Sequence, residues 1–149
     1  MKKISEKSVG IIPIYYKNNL FHECLLIKHA KGHWGFPKGH PKTNETLQET
    51  ALRELSEETG ISNLNVLENI IFLEKYSFRE KDILIEKEVL YFLGKLKSKE
   101  KIKLPKEEII DYKWATLQKA LEIINFKEGK NLIKNIEKNL ANLYSEKYS

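Results

Sequence analysis

Two apolar runs near the start of the chain restrict its fold more than any other feature. Residues 8–16 and 21–29 are rich in isoleucine, leucine and tyrosine, and Asn18 and Asn19 lie between them. This pattern predicts two strands joined by a turn. Pro13 cannot donate a hydrogen bond to a neighbouring strand, which favours an edge or a bulge for the first strand. A chain that begins in this way builds a sheet.

The next two segments differ sharply in pattern. Residues 30–44 are punctuated by glycine and proline, and a loop of about fifteen residues in a compact domain is usually functional. Residues 45–59 have helical periodicity and stop at Gly60, which suits the left-handed position after a helix. Strands are then expected at 65–78, 83–96 and 109–116, a turn at 79–82, and helical segments at 117–126 and 129–144. This order predicts an α/β (α+β) fold, in which helices pack on a mixed sheet.

The size and composition of the chain predict one soluble globular domain spanning residues 1–149. Apolar residues make up 41% and charged residues 32% of the chain, and no apolar run approaches the roughly 18 residues of a membrane span. The apolar run after the first lysines is short and is interrupted by Pro13, so we interpret it as a buried strand and not as a signal peptide. Cys24 is the only cysteine, which excludes an intrachain disulfide and favours a cytoplasmic location.

The net charge of +5 raises the question of an anionic partner. Residues 1–94 carry 13 basic and 13 acidic side chains, whereas residues 95–149 carry 13 and 8, so the whole excess lies in the last third. The lysines there are spread among glutamates, which is typical of a solvated face. Only two of the 26 basic residues are arginine, the side chain best suited to reading base edges. A stable nucleic-acid partner is therefore not expected, although the charge could attract a smaller anion.

The helical segment carries an unusual row of acidic side chains. Glu54 and Glu58 are one turn apart and Glu57 lies about 60° further round, so three carboxylates share one stripe. Like charges at this spacing destabilise a helix, and negative charge is unfavourable near its carboxyl end. Arg53 and scattered lysines could neutralise a solvated acidic face, but bound Mg²⁺ or Mn²⁺ is the better account, because hard cations prefer carboxylate oxygens. The stripe borders the predicted buried face of the helix, which consists of Leu47, Ala51, Leu52 and Leu55.

The residues before the helix complete a longer pattern. Gly39 is followed after five residues by Glu45, and after seven more by residues 53–61, RELSEETGI. This spacing resembles in full the signature box of the Nudix hydrolases. The resemblance implies an α/β/α sandwich around a mixed sheet, with a loop-helix-loop that holds divalent metal ions. It also implies that the Gly39 carbonyl contacts metal and that Arg53 and Glu45 brace the helix. The implied metal ligands on the helix are Glu54, Glu57 and Glu58, one of which could also serve as general base through water.

Segments on both sides of the box resemble the asymmetrically cleaving diadenosine tetraphosphate hydrolases of that superfamily, over residues 8–140. The matching segments are GHWGFPKGH at 32–40, KEVLYFLG at 87–94, Glu108 with Trp114, and NFKE at 125–128. By this resemblance Glu108 is a further metal ligand or catalytic carboxylate. One departure is the gap in the box, HPKTN at 40–44, which lacks the acidic residue and the glycine that are frequent there.

Five further residues are candidates for substrate binding. Lys38 lies beside the predicted metal-phosphate site, so we expect it to contact phosphate. For Lys87, a phosphate contact is implied by the resemblance alone. Tyr76 and Phe126 could stack on adenine or could pack in the core. His40 could contact substrate or could simply hydrogen-bond the loop backbone.

Together these patterns predict a Mg²⁺-dependent or Mn²⁺-dependent hydrolase of dinucleoside polyphosphates. We expect it to prefer diadenosine tetraphosphate and to release ATP and AMP after water attacks a phosphorus. RNA 5′-end pyrophosphohydrolases share the box but typically carry Gln-Gly-Gly where this chain has Lys38, Gly39 and His40. The box also fits another Nudix nucleoside-diphosphate hydrolase. A non-catalytic nucleotide-binding module is an alternative of another class, which a degraded box would have favoured, whereas this box is complete. A nucleic-acid-binding protein is a weaker alternative that rests on the basic charge. The expected partner is a small nucleotide, with no membrane, and the expected state is a monomer.

Overall fold

A mixed sheet forms the centre of the molecule. The computed structural model describes residues 2–18, 20–104 and 107–148. Within these residues the sheet order is β3-β2-β1-β6-β5, β4 pairs with β1, and β7 pairs with β2. β1 and β6 run parallel, and all the other pairs are antiparallel, so the predicted mixed sheet is confirmed. The strands are β1 Lys2–Lys17, β2 Leu20–His29, β3 Trp34–Gly35, β4 Lys38–Gly39, β5 Asn65–Glu80, β6 Ile83–Leu96 and β7 Ile109–Ala115.

Helices cover both faces of this sheet. They are α1 Leu47–Thr59, α2 Leu117–Ile123 and α3 Lys127–Tyr148. Successive residues of a strand point to opposite faces, and β1 therefore contributes to two separate apolar cores. On one face Val9, Ile11 and Leu25 pack with Ala51 and Leu55 of α1. On the other face the core contains Ile12, Ile14 and Leu26 together with Leu117, Ala120, Leu132 and Ile133 of α2 and α3. This arrangement confirms the α/β/α sandwich.

Of the edge or bulge predicted for the first strand from Pro13, the edge is wrong, whereas a bulge is present in β1. β1 lies in the middle of the sheet, and Pro13 is opposite Gly94 of β6 in the parallel pairing. On its other side β1 pairs with β4 at Val9 and Gly10 and with β2 only from Ile14 onward. The Ile11 N–H donates to the Pro37 carbonyl on this side, so the N–H that Pro13 lacks would point the same way, just before the pairing with β2 begins at Ile14. The bulge in β1 lies between Tyr15 and Tyr16.

Several element boundaries also differ from the prediction. β1 starts at residue 2, six residues early, because its polar first half pairs with β6. The loop at 30–44 contains β3 and β4, which dock it onto β2 and β1. The turn after β5 is shorter than 79–82, with a positive φ of 57° at Lys81. α2 ends at Ile123, so Phe126 lies outside it, and α3 is longer than 129–144. Asn18 turns the chain with φ 55°, and Asn19 lies outside the described residues.

The buried face of α1 is rotated from the predicted one. Leu47 is 46% exposed, whereas Glu54 and Glu58 are only 7% and 4% exposed. The predicted burial of Leu47 is therefore wrong, while Ala51 and Leu55 are fully buried as expected. The cause is the packing of α1 beside β1 and the short strand β4, which covers the acidic stripe instead of leaving it in solvent. Among the described helices, none combines the length and the apolar character that crossing a membrane requires.

Candidate active site

Helix α1 is fixed at both ends by local interactions that its sequence encodes. The Thr46 hydroxyl accepts a hydrogen bond from the Glu49 N–H at 3.1 Å, and the Glu49 carboxylate accepts one from the Thr46 N–H at 2.9 Å. This reciprocal capping box starts the helix two residues after the predicted start at Glu45. Gly60 ends it with φ 80°, as predicted, and donates to the Ser56 carbonyl at 2.9 Å.

Arg53 ties the loop before α1 to the acidic stripe. Its Nε donates to Glu45 at 2.6 Å and its Nη1 to Glu54 at 2.8 Å. The same Nη1 lies 3.3 Å from a Glu57 oxygen, and Nη2 donates to the His40 carbonyl at 3.0 Å. The guanidinium beside Glu45 lowers the pKa of that carboxyl to about 2. Arg53 and Glu45 therefore brace the helix, as the resemblance implied, through a fork that a lysine could not reproduce.

Gly39 makes the closest backbone approach to the acidic stripe. A Cβ placed there would collide with the carboxylate of Glu54, at 2.5 Å from Oε2 and closer still to the other two atoms. The preceding backbone N–H, of Lys38, donates to the Glu58 carboxylate at 3.3 Å. The absence of a side chain at position 39 is thus what allows the loop to lie against Glu54.

One cavity of about 920 Å³ brings most of the predicted site residues together. Glu54, Glu58 and Gly39 form part of its wall, and Glu108, an exposed side chain, lies at the same cavity. Glu57 does not line it, and its partly exposed carboxylate faces Arg53. The cavity is also lined by all five candidate substrate contacts, Lys38, His40, Tyr76, Lys87 and Phe126.

The basic side of the cavity is built from strands far apart in sequence. Lys38 Nζ donates to the Tyr76 hydroxyl at 3.2 Å. Tyr76 of β5 is also the cross-strand neighbour of Lys87 of β6. Lys38 and Lys87 therefore both lie next to Tyr76. Burial lowers the pKa of Lys38 and of Lys87, because the charged form of each loses solvent. A bound anion would compensate for that loss.

The aromatic side of the cavity includes a residue that the sequence did not single out. His29 stacks on His33 with ring centroids 4.2 Å apart, and His33 lies 6.1 Å from the ring of Phe126. Burial is the main cause that lowers the His29 pKa to about 4, so the ring is neutral near pH 7. Its Nε2 is buried without a hydrogen-bond partner in the described part of the chain. His40, in contrast, has its Nδ1 3.2 Å from the Lys7 carbonyl and its own carbonyl held by Arg53.

Glu74 and Glu128 also line the cavity, and neither was identified from the sequence as a site residue. Glu74 could have been predicted from the sequence, because it is two residues from the candidate Tyr76 in a predicted strand, and residues two apart in a strand share a face. Glu128 offered no signal beyond its place in the NFKE segment.

A family model described as the NUDIX domain matches residues 5–136. This chain is a member of the Nudix family. The asymmetrical bis(5′-nucleosyl)-tetraphosphatase of Mus musculus is 39% identical over 113 residues, covering 72% of this chain and 74% of that protein. Its Caenorhabditis elegans counterpart is 30% identical over 142 residues, covering 91% and 96%. A solved structure of a C. elegans Ap4A hydrolase binary complex superposes with a TM-score of 0.78 at 28% identity, covering 91% of this chain and 98% of that one. The resemblance inferred from the sequence is confirmed.

Nudix hydrolases generally use divalent metal ions, and the site of this Nudix hydrolase fits one by donor chemistry. Glu54 and Glu58 supply hard oxygen donors from buried positions, and the backbone of Gly39 lies directly against the Glu54 carboxylate. Among the side chains that the structure describes, no three from His, Cys, Asp or Glu are already gathered as a ligand set. The metal-ligand roles of Glu54, Glu57, Glu58, Glu108 and the Gly39 carbonyl therefore stay predictions.

Proposed function

We propose that this Nudix hydrolase cleaves dinucleoside polyphosphates, prefers diadenosine tetraphosphate, and releases ATP and AMP in the presence of Mg²⁺ or Mn²⁺. One observation carries the proposal: a single cavity joins a buried acidic wall, Glu54 and Glu58, to a basic and aromatic wall that includes Lys38 and Tyr76. The first wall suits metal-assisted phosphate chemistry and the second suits a phosphate chain with a base. The tetraphosphatases of mouse and C. elegans, which this chain resembles over most of its length, support the choice of substrate.

The residues of the basic and aromatic wall would bind the phosphate chain and a base of the substrate. Lys38 and Lys87 would donate hydrogen bonds to phosphate oxygens, and Tyr76 would orient Lys38 toward the chain through their 3.2 Å hydrogen bond. The rings of Tyr76 and Phe126 are the candidates to hold a base, because a π-face binds any base without reading its edge. Phe126 is 59% exposed and is thus available at the cavity rim. These contacts would fix the substrate for attack.

The acidic wall would position the nucleophile. A divalent cation held by Glu54, Glu57, Glu58, Glu108 and the Gly39 carbonyl would neutralise phosphate charge and lower the pKa of the attacking water. One glutamate takes a proton from that water, whose oxygen forms a bond to the phosphorus next to one adenosine. The bond from that phosphorus to the bridging oxygen breaks. The water oxygen leaves in AMP and the bridging oxygen leaves in ATP, so the atoms balance.

The decisive experiment is product analysis on four substrates. Purified protein is incubated with Mg²⁺ and, separately, diadenosine tetraphosphate, triphosphorylated RNA, ADP-ribose and oxidised dGTP, and the products are resolved by chromatography. We expect ATP and AMP in equal amounts from the first substrate at the highest kcat/KM. Cleavage of the RNA alone would identify a 5′-end pyrophosphohydrolase. Tight binding without any product would identify a nucleotide-binding module.

A glutamate substitution tests the acidic wall in the same assay. Glu58→Gln keeps the shape of the side chain but removes its charge, and we expect kcat to fall by about 10²-fold to 10³-fold with thermal unfolding unchanged. Glu68→Gln, at an exposed carboxylate of β5 outside the cavity, is the matched control and should keep wild-type kcat. Wild-type turnover in Glu58→Gln would contradict the assignment. The domain bounds 1–149, the monomeric state and the cytoplasmic location remain predictions.

A further inference from the structure

Glu74 is a carboxylate in a cavity that the proposed function fills with phosphate. Residues 74 and 76 of β5 point to the same face of the sheet, and both line the cavity. The cross-strand partner of Tyr76 is Lys87, whereas that of Glu74 is Val89, which is itself opposite Ser8 of β1. Glu74 therefore lines the cavity one row along the sheet from the Tyr76–Lys87 pair.

An ion pair does not account for this residue. Glu74 is half-buried, and among the described residues no lysine or arginine nitrogen lies within 4 Å of its carboxylate. Burial and Glu128 raise its pKa, and Lys38 and Lys87 oppose that rise from a longer distance. Glu128 has a structural explanation of its own, because it lies in the first turn of α3, where the helix dipole favours a carboxylate. Glu74 has none.

The surroundings of Glu74 indicate which part of a nucleotide would reach it. Lys38 and Lys87 mark the place for phosphate, and Tyr76 and Phe126 mark the place for a base. In a nucleotide the ribose links these two parts. A carboxylate repels phosphate but is a strong acceptor for the two neighbouring hydroxyls of a ribose. Glu74 lines the same cavity, shares a strand face with Tyr76 and interacts electrostatically with both lysines, so it lies beside the markers for both parts.

We propose that Glu74 determines sugar specificity by accepting hydrogen bonds from the ribose hydroxyls of the nucleoside whose phosphates meet Lys38 and Lys87. The inference rests on the proposed function, because it takes the ligand to be a nucleoside polyphosphate. It adds a residue that selects ribonucleotides over deoxyribonucleotides. Its partner on the substrate is a neutral donor, which explains how a carboxylate can be tolerated in a site for a polyanion.

The test compares two substrates across four proteins. The substrates are diadenosine tetraphosphate and its analogue with 2′,3′-dideoxyribose in both nucleosides, and the readout is the ratio of their kcat/KM values. The proteins are wild type, Glu74→Leu, Glu74→Gln and the control Glu68→Leu, which removes an exposed carboxylate from the same strand. We expect wild type and the control to prefer the ribose substrate by about tenfold, since a hydrogen bond to a charged group carries at least that discrimination. The preference should fall below about twofold in Glu74→Leu and lie in between in Glu74→Gln, which keeps one acceptor.

Two results would overturn the proposal. Glu74→Leu could keep the full preference for ribose, or it could lose activity equally on both substrates, which would mean that Glu74 acts only by positioning the lysines. If wild type hydrolyses neither substrate, the proposed function has failed and binding decides the inference instead. Calorimetry with ATP and 2′,3′-dideoxy-ATP then gives the same ratio, and equal ratios for wild type and Glu74→Leu would refute the role of Glu74.

Discussion

Substituting Gly39 by alanine would push a methyl group into the carboxylate of Glu54. The added Cβ would lie 2.5 Å from Oε2, whereas ordinary contacts begin at 3.4 Å, so Glu54 must move by at least about 0.9 Å. Glu54 is 7% exposed and is held by Arg53 at 2.8 Å, and it therefore cannot swing into solvent at low cost. Backbone strain does not contribute, because Gly39 is not among the residues with positive φ.

The expected effect is much larger on activity than on stability. Displacing a catalytic group by about 1 Å can lower turnover by about 10²-fold. Overpacking of this kind costs about 1–3 kcal/mol, and each kcal/mol lowers the melting temperature by about 2–4 °C in a chain of this size. We therefore expect Gly39→Ala to be folded at 25 °C, with kcat for diadenosine tetraphosphate reduced about 100-fold at saturating Mg²⁺.

Gly94→Ala is a matched control for the overpacking. A Cβ at Gly94 would meet the side chain of Leu64, including Cγ and Cδ1 at 2.8 Å, and Gly94 does not line the cavity. This variant should lose stability while its kcat stays within about twofold of wild type. Turnover and thermal unfolding are measured for both variants. Wild-type kcat in Gly39→Ala, or an equal loss of kcat in Gly94→Ala, would refute the argument that the close approach of Gly39 sets the position of Glu54.

Three further predictions concern Arg53, Tyr76 and His29. Arg53→Lys keeps the charge but loses the paired hydrogen bonds to Glu45, Glu54 and the His40 carbonyl. We expect the free energy of unfolding in urea to fall by about 1–3 kcal/mol and kcat to fall as well. An unchanged urea midpoint would contradict the bracing role. Tyr76→Ala should raise KM more than it lowers kcat, while Tyr76→Phe, which keeps the ring and loses only the bond to Lys38, should raise KM less. The reverse order would argue against stacking. The folded pKa of His29, about 4, lies below its ordinary 6.5, so its contribution to stability is complete above pH 6.5 and is lost as pH falls toward 4. His29→Phe should flatten the fall of the urea midpoint across that window, and parallel curves for variant and wild type would exclude this role.

The local structure around the candidate site was predicted well where residues interact within α1 and its flanking loop. The row of Glu54, Glu57 and Glu58 on one side of α1 was predicted because residues of a helix follow a fixed period, whereas the bracing by Arg53 and Glu45 was implied by the resemblance to the Nudix box. The helix end at Gly60 was predicted for the same reason. The buried face of α1 was not, since Leu47 is exposed and Glu58 buried according to what packs against the helix.

The sequence by itself determined the order of the elements, the acidic helix and its membership of the Nudix family. Tertiary structure alone decided that Lys38, Tyr76 and Lys87 share one wall, that Phe126 reaches the rim, and that Glu74 faces the same cavity. The physical reason is strand register. The turn at Lys81 sets the β5–β6 register, and with it the pairing of Tyr76 with Lys87, whereas the pairings of β1 with β4 and β6 bring Lys38 to the same wall from far away in the chain.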